Sequence, residues 1–168
     1  MKAQAPETWT TEAGLTGRKI AASDLDFVNT LFADPRMLAH HPNPSPTPPR
    51  TSLEGDLDHW SRHGIGRWSV WRGDARVGLC GLTLRDGYSG LNLSYHVVPA
   101  EWGQGWATHI VRQLITIAAG LSPAPPQVFG LVRPSNRASA RVLEKTEFEK
   151  TDVRHLGGAP TDLWVKPL

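Results

Sequence analysis

The sequence predicts an α/β protein in which helices pack on one mixed, mostly antiparallel sheet of six to seven strands. Three observations lead to this fold class. The candidate elements follow the order β-α-α-β-β-β-α-β-α-β-β, three short strands are consecutive in the middle of the chain, and strands alternate with helices towards the end. Consecutive strands usually pair antiparallel, whereas strand-helix-strand units give parallel neighbours, so one sheet must contain both kinds of pairing.

The first third of the chain is predicted to contain one strand and two helices. Residues 15–21 form the candidate strand. Residues 23–33 have apolar side chains at helical spacing and begin with a serine, a residue type that caps helix N-termini. A second helix opens at Thr51 or Ser52 and ends at Gly64, where glycine tolerates the left-handed conformation of a helix end.

Between these two helices, residues 40–49 contain five prolines and follow no periodic pattern. Proline fixes the φ angle and lacks a backbone N–H group, which excludes a helix or an interior strand. We therefore expect an extended surface loop, too short to link two domains.

The remaining elements alternate more regularly. Two strands are joined by the Gly73-Asp74 turn, and a second glycine-containing turn leads into a third strand. A helix with an apolar stripe follows and packs, we expect, against the sheet. In chain order these elements are strands Arg67–Arg72, 76–85 and 91–98, a helix over 103–120, a strand at Gln127–Val132, a helix over 135–145, and strands near 148–156 and 161–166.

Length and composition fit one soluble domain over residues 1–168. Hydrophobic residues make up 39% of the chain and charged residues 20%, and no apolar run approaches the roughly 18 residues of a membrane span. The first residues lack the basic and apolar regions of a secretion signal. Because Cys80 is the one cysteine, no internal disulfide can form, and we expect a cytoplasmic protein. The net charge of +2 and the scattered basic residues do not favour nucleic acid as a partner.

The most informative segment is Pro99-Ala100-Glu101-Trp102-Gly103-Gln104-Gly105-Trp106-Ala107-Thr108, which joins a predicted strand to a helix. Its two glycines leave backbone amides uncovered, and the first N–H groups of a helix have no intrahelical acceptor. With the positive end of the helix dipole, they favour a site for phosphate oxygens, although glycine also begins helices for steric reasons. No Gly-Lys-Ser/Thr follows, and Thr108 replaces the last glycine of a dinucleotide-binding pattern, which disfavours both of those sites.

This segment resembles the pyrophosphate loop of the RimJ/RimL-like ribosomal-protein acetyltransferases of the GNAT superfamily, usually Trp-Gly-Lys-Gly-Tyr-Ala-Thr. Residues 132–145 resemble that family's second motif, Asn-x-x-Ser-x-x-Val-Leu-Glu-Lys. Residues 68–71 and 77–82 are similar to its two central strands, and residues 34–37 to the end of its first helix. The similarity covers about residues 23–150.

The resemblance implies the GNAT fold, in which two neighbouring parallel strands splay apart and acetyl-CoA binds between them. Here the two strands are residues 91–98 and Gln127–Val132. By the same resemblance, Asn136 binds near the thioester. The expected cofactor contacts are the backbone of His96, Val97 and Val98, the loop residues Gly103, Gln104, Gly105, Trp106, Ala107 and Thr108, and Asn136.

Acetyl transfer also requires a proton donor for the departing thiolate. Many GNAT enzymes use a tyrosine on the last helix, but Leu143 stands at that position here. The ribosomal-protein branch resembles this chain in having a serine, Ser139, one helical turn after Asn136. A serine hydroxyl can donate directly or through water. The alternatives are that Ser139 is an exposed helix serine and that Asn136 is a helix cap.

The position of the family's general base carries no carboxylate in this chain. Relatives carry a glutamate in a Glu-Leu-Gly-Tyr context, and the matching residue here is Asn92, whose amide cannot take up a proton. Strand alternation places Asn92, Ser94 and His96 on one face. His96 titrates in a useful range and is a candidate catalytic base, although it can equally serve in packing. His40 and His41 are further candidates, because the resemblance places their loop beside the acceptor.

The sequence therefore predicts an N-acetyltransferase whose partners are acetyl-CoA and a primary amine. At pH 7 about 14% of an α-amine is neutral, against roughly 0.04% of a lysine, so a site without a carboxylate base favours α-amines. The resemblance also suggests a homodimer. Two alternatives remain open: a non-catalytic acyl-CoA-binding module, and a transferase that uses another acyl-CoA such as succinyl-CoA. His59 and His63 share a helix face but lack a third metal ligand, so a metal site is not expected.

Overall fold

A single eight-stranded sheet organises the computed structural model, which describes residues 4–41 and 47–168. Its strand order is β1-β2-β3-β4-β5-β6-β8-β7, and all neighbours are antiparallel except β5 and β6. The strands are β1 (Thr8–Thr10), β2 (Leu15–Lys19), β3 (Arg67–Arg72), β4 (Ala75–Thr83), β5 (Leu91–Val97), β6 (Gln127–Val132), β7 (Glu149–Leu156) and β8 (Ala159–Pro167). The helices are α1 (Leu25–Ala33), α2 (Pro49–His63), α3 (Trp106–Ala119) and α4 (Arg137–Lys145).

The predicted α/β class and the mixed sheet are confirmed, and the sheet has eight strands where six to seven were expected. The additional strand is β1, whose three residues are too few to show a periodic pattern. It pairs antiparallel with β2, between Thr8 and Arg18 at one end and Thr10 and Thr16 at the other. The assignment of all 168 residues to one domain stays a prediction.

Helix starts differ from the sequence prediction for local reasons. The predicted cap Ser23 lies inside a short 3₁₀ turn, and the residue that precedes α1 is Asp24. The carboxylate of Asp24 accepts the backbone N–H of Ala21 at 2.9 Å. The second helix starts at Pro49 rather than at Thr51 or Ser52, because the first helical position needs no N–H donor. It ends as predicted, with Gly64 in the left-handed conformation.

The helices cover opposite faces of the sheet. On one face, Phe32 of α1 meets the ring of His96 on β5, with ring centroids 5.3 Å apart. On the other face, Tyr95 of β5 donates its hydroxyl hydrogen to a carbonyl of α4. Because successive strand residues point to opposite faces, α1 and α4 lie on opposite sides of β5.

The core that holds these layers is rich in tryptophan. Trp68 is fully buried, meets Trp60 in an edge-to-face contact at 5.2 Å, and donates its Nε1–H to the carbonyl of Pro6 at 2.9 Å. Each buried aromatic contributes about 1.5–3 kcal/mol through burial of its apolar surface. None of the helices in the described ranges is long and apolar enough to cross a bilayer.

Candidate active site

A V-shaped cleft opens between β5 and β6, the two strands that the sequence analysis assigns to the cofactor. They pair at two positions, Leu91 with Val128 and Asn92 with Phe129. Both strands continue past these pairs, β5 to Val97 and β6 to Val132, without further pairing to each other. The predicted splay of the central parallel strands is thus present, and its vertex lies at Asn92 and Phe129.

Hydrogen bonding to β4 fixes which backbone groups of β5 face this cleft. The N–H of Val98 donates to the carbonyl of Val77 at 2.9 Å, and His96 pairs with Leu79 in the same ladder. In an antiparallel pair, alternate residues direct their N–H and C=O groups to opposite sides of the strand. The backbone groups of Tyr95 and Val97 therefore point away from β4 and into the cleft.

The β6 edge follows the same alternation. The N–H of Leu168, after β8, donates to the carbonyl of Pro126 at 3.1 Å. Even-numbered residues of β6 consequently face β8, and Leu131 directs its N–H and C=O into the cleft. Donors and acceptors from both strands thus line the two walls of the V.

Of the predicted set His96, Val97 and Val98, the structure directs the backbone of Val97 into the cleft and that of the other two towards β4. Val98 already uses its N–H towards Val77, and its carbonyl accepts the N–H of Glu101 at 2.9 Å. The backbone of His96 is committed to β4, so Tyr95 and Val97 are the residues able to pair with an extended ligand. Which residues of β5 direct their backbone groups into the cleft depends on how β5 pairs with β4, and the sequence motif does not show that pairing.

The glycine loop lies where β5 ends and α3 begins. Gly103 and Gly105 have φ angles of 80° and 78°, a left-handed conformation that other residues rarely adopt, and a Cβ at either position would meet no atom within 4 Å. The first hydrogen bond of α3 runs from His109 to the carbonyl of Gly105 at 3.3 Å. The N–H groups of Trp106, Ala107 and Thr108 are therefore available to an anion.

A carboxylate that the sequence analysis did not single out holds this loop together. Glu101 accepts hydrogen bonds from the Arg72 guanidinium at 2.7 Å, the Trp106 indole at 3.1 Å and the Gln104 amide at 3.2 Å. These bonds, that from Arg72 above all, lower the pKa of the Glu101 carboxyl below its usual value. The side chain of Gln104 thus supports the loop itself.

Trp102 links the loop back to the cleft wall. Its Nε1–H donates to the carbonyl of Val97 at 2.7 Å, while the ring stays 50% exposed. This bond fixes the end of β5 relative to the glycines and occupies one lone pair of a cleft-facing carbonyl.

The start of α4 brings the predicted thioester residues to the other wall. Asn136 is the N-cap, and its Oδ1 accepts the backbone N–H of Ser139 at 3.2 Å. The carbonyl of Ser139 in turn accepts the hydroxyl hydrogen of Tyr95 at 3.1 Å. Leu143, at the position of the missing tyrosine, is fully buried and packs against Gly130.

Tyr95 therefore joins β5 to α4 above the cleft, a role that its strand position alone did not indicate. Burial raises the pKa of Tyr95 to about 12, so its hydroxyl stays protonated at neutral pH. The two hydrogen bonds at Ser139 hold its backbone, which leaves the hydroxyl of this half-buried side chain as the part free to rotate.

His96 lies on the face of β5 that α1 covers, together with Asn92 and Ser94, as the alternation predicted. Its Nδ1 is buried without a hydrogen-bond partner, although the residue as a whole is partly exposed. Burial, assisted by the positive charge of Arg67, lowers the pKa of His96 to about 3. The imidazole is neutral at pH 7 and weakly basic, which is unfavourable for taking a proton from an ammonium group.

The loop after α1 reaches the start of α4. Nδ1 of His40 lies 2.8 Å from the hydroxyl oxygen of Ser135, immediately before the Asn136 cap. This contact places His40 beside the residues that cap α4, and its role near the acceptor stays a prediction. The segment 42–46 of the proline-rich stretch lies outside the described residues.

His59, the first member of the second histidine pair, is hydrogen-bonded into the fold. His59 donates Nδ1–H to the carbonyl of Ile65 at 2.7 Å, and its Nε2 accepts the N–H of Leu84 at 3.0 Å. These partners assign the neutral tautomer and leave neither nitrogen for a metal ion. Among the residues that the structure describes, no group of three or more metal-ligating side chains converges.

Comparison with known proteins gives one family. The model of the acetyltransferase (GNAT) domain matches residues 15–149, from the start of β2 to the first residue of β7. No curated protein matches the sequence of this chain.

Several solved acetyltransferases have a similar structure. An acetyltransferase from Agrobacterium tumefaciens is 22% identical over 98% of this chain and 96% of its own, with a TM-score of 0.83. The RimL ribosomal L7/L12 α-N-protein acetyltransferase, solved with coenzyme A, is 15% identical over 96% of this chain and 98% of its own, with a TM-score of 0.81. Mycobacterium smegmatis RimJ, solved with a CoA disulfide, is 17% identical over 99% of this chain and 90% of its own, with a TM-score of 0.79. At these identities the likeness shows the fold.

Proposed function

This chain belongs to the GNAT acetyltransferase family, and from that premise we propose that it transfers the acetyl group of acetyl-CoA to a primary amine by direct attack. The acceptor is a protein N-terminus or a small-molecule amine. The observation that carries the proposal is the cleft between β5 and β6, with unpaired backbone groups on both walls and the start of α3 at its wide end.

The chain's own groups divide the binding of acetyl-CoA into two parts. The N–H groups at the start of α3 bind the pyrophosphate, because the helix dipole and the glycines favour an anion there. The backbone of Tyr95 and Val97 pairs with the amides of the pantetheine arm, as a neighbouring strand would. Together these contacts direct the thioester towards the vertex at Asn92 and Phe129.

The transfer forms a nitrogen–carbon bond and breaks the carbon–sulfur bond of the thioester. The amine loses one proton, and the departing thiolate gains one. Ser139 lies on the cleft wall beside the Asn136 cap, and its hydroxyl is the proposed proton donor for the thiolate, directly or through water. Backbone N–H groups that face the cleft polarise the carbonyl during attack.

The nucleophile must be neutral before it attacks. Asn92 cannot take up the proton, and the low pKa of His96 leaves it a poor acceptor. Solvent therefore removes the proton, directly or through the polar face of β5. This favours an α-amine over a lysine side chain, because about 14% of an α-amine is neutral at pH 7 against roughly 0.04% of a lysine.

Two measurements on the purified protein test the proposal. Calorimetry with acetyl-CoA, CoA and succinyl-CoA should show saturable binding, with acetyl-CoA competing effectively against the others. Release of free CoA thiol should then depend on an added amine. Failure of all three ligands to bind would overturn the proposal. Tight binding with no thiol release across a broad amine panel would replace it with a non-catalytic acyl-CoA-binding module. A homodimer stays a prediction, which light scattering checks.

A further inference from the structure

An aromatic stack closes the narrow end of the cleft. The ring of Tyr88, in the turn between β4 and β5, lies parallel to the ring of Phe129, with centroids 4.8 Å apart and planes at 12°. Phe129 is buried, and it is the β6 residue that pairs with Asn92 at the vertex. Tyr88 therefore covers the point at which the two strands begin to separate.

Two arginines from segments far apart in the sequence converge on this ring. The guanidinium carbon of Arg85 lies 5.7 Å from the Tyr88 ring centroid, and that of Arg154, on β7, lies 5.2 Å from it. The register pairs Arg154 with Thr161, and Leu131 with Leu163, two residues further along β8. Arg154 thus shares a sheet face with Leu131 and Phe129, which is the face that α1 covers at β5.

The charge of this pair is only partly compensated. Nε of Arg154 lies 3.2 Å from Asp152, a carboxylate that is 58% exposed, and this pair leaves the two terminal nitrogens of the guanidinium available. Arg85 is exposed and forms no ion pair within 4 Å among the described residues. A guanidinium held over an aromatic ring keeps its N–H groups directed outward in a fork that matches a carboxylate.

The direction of the cleft determines what these arginines meet. The phosphate loop follows the C-terminal end of β5, and the vertex lies at the opposite end of the same strand. An acyl donor held by its phosphates at the loop extends towards the vertex, so the amine must reach the thioester there. The two guanidinium groups lie over the Tyr88 ring, which stacks on Phe129 at the vertex, so they border the place that the acceptor must reach.

We propose that the acceptor is an amine that carries a carboxylate close by, and that Arg85 and Arg154 bind this carboxylate across Tyr88. This inference rests on the proposed function and narrows it to acidic acceptors. Two sources share the chemistry: a free amino acid with its α-carboxylate, and a peptide N-terminus followed by aspartate or glutamate. The arginines act in specificity and do not contact the reacting atoms.

The test compares isosteric acceptors. One pair consists of the tetrapeptide amides Ser-Asp-Glu-Ala and Ser-Asn-Gln-Ala, and the other of serine and serinamide. The wild type should have a kcat/KM at least about tenfold higher for the charged member of one pair, since a paired charge strengthens a hydrogen bond. A preference in the first pair identifies an acidic peptide, and a preference in the second identifies a free amino acid. Equal rates within both pairs would overturn the inference.

Variants assign any preference to the two arginines. Arg85→Gln and Arg154→Gln should each lower kcat/KM for the charged acceptor about fivefold and leave the neutral one unchanged, and the double variant should abolish the preference. Arg112→Gln removes an equal charge from an exposed position on α3 and serves as the matched control. An equal loss for both acceptors would show a structural role and contradict the proposal.

A binding measurement separates this inference from the proposed function. Calorimetry of each peptide against CoA-saturated protein reports acceptor binding without turnover. If the wild type prefers the acidic peptide and the double variant does not, the inference stands even when no acetylation occurs. If acetylation proceeds without an acidic preference in rate or in binding, the proposed function stands and the inference fails.

Discussion

The two halves of the cleft are built from different kinds of group. The proposed cofactor half consists of backbone N–H and C=O groups of β5, β6 and the start of α3, held in place by side chains that include Glu101 and Trp102. The proposed acceptor half consists of side chains from separated segments, among them His40, Tyr88 and Arg154. Substitution leaves backbone groups in place, so the cofactor half depends on its sequence mainly at the loop glycines, whereas the acceptor half can be altered one side chain at a time.

The largest expected effect is a loss of acetyl-CoA binding on substitution in the glycine loop. Changing Gly103 and Gly105 together to valine should weaken acetyl-CoA binding at least about 100-fold, because the new side chains occupy the open space that the phosphate needs. Calorimetry measures the dissociation constant. Gly14→Val is the matched control, since Gly14 has a φ of 90° and open space around it but lies in the turn between β1 and β2.

The loop variant strains two left-handed positions and the control strains one, so the melting temperature of the loop variant should fall about twice as far. A loop variant that stays folded and still binds acetyl-CoA normally would show that the phosphates bind elsewhere.

At the boundary between the halves, Ser139→Ala should lower kcat about 100-fold if the hydroxyl protonates the thiolate. The backbone bonds of Ser139 to Asn136 and Tyr95 survive the change, so acetyl-CoA binding and thermal stability should stay at wild-type values. Steady-state kinetics measure kcat, and Ser139→Thr, which keeps a hydroxyl, should restore part of it. A wild-type rate in the alanine variant would remove Ser139 from the chemistry.

Two substitutions at Asn136 distinguish a role in binding the thioester from a role in capping α4. Asn136→Asp keeps the oxygen that caps α4 but loses the amide hydrogens, whereas Asn136→Ala loses both and should cost about 1 kcal/mol of stability. If the amide binds near the thioester, both variants should lower kcat about tenfold, while denaturant unfolding shows that the aspartate variant keeps its stability. Wild-type kinetics in the aspartate variant would reduce Asn136 to a cap.

His59 lies outside both halves of the cleft, so its substitution should change the free energy of unfolding and not the activity. Burial is the main cause that lowers the pKa of His59, so the unfolded chain takes up its proton first as the pH falls. The stabilisation from its two hydrogen bonds, about 1–2 kcal/mol, is present above the unfolded pKa near 6.5 and is lost as the pH falls through the folded pKa.

Denaturant unfolding from pH 8 to 5 measures this dependence. The stability difference between the wild type and His59→Gln should shrink as the solution becomes more acidic, while His63→Gln serves as the neighbouring control. A difference that is constant across this range would contradict the assigned tautomer.

At the other extreme, we expect His96 to have no effect on how kcat/KM depends on pH. With a pKa of about 3, its imidazole does not change charge between pH 6 and 9. The profile of kcat/KM should therefore rise with deprotonation of the acceptor amine and follow the pKa of each amine tested. A break near 6.5 that disappears in His96→Gln would identify His96 as a working base and contradict the burial argument.

The sequence predicts more of the cofactor half of the cleft than of the acceptor half. The glycine loop, the strands around it and the Asn136–Ser139 spacing are local patterns, and the structure has them at the expected places. The alternation of β5 placed Asn92, Ser94 and His96 on one face correctly. It could not show that Tyr95, rather than His96 or Val98, faces β6, because that depends on hydrogen bonds to β4.

The contacts that the sequence could not predict join distant segments. Arg72 reaches Glu101, His40 reaches Ser135, and Arg154 reaches Tyr88, each between elements that only the folded sheet brings together. The pKa of His96 is a further case, since its value depends on burial under α1 and on Arg67. The sequence around each of these residues does not identify its distant partner.

The unpaired backbone N–H groups of Tyr95, Val97 and Leu131 link the stability of the folded chain to ligand binding. Amides in the middle of a sheet normally exchange with solvent slowly, but these three face a gap and should exchange quickly until an acyl-CoA pairs with them. A ligand at 100 times its dissociation constant adds about 2.7 kcal/mol to a folded state whose total stability is typically about 5–15 kcal/mol. The supply of acyl-CoA would then govern both turnover and the fraction of chains exposed to proteolysis.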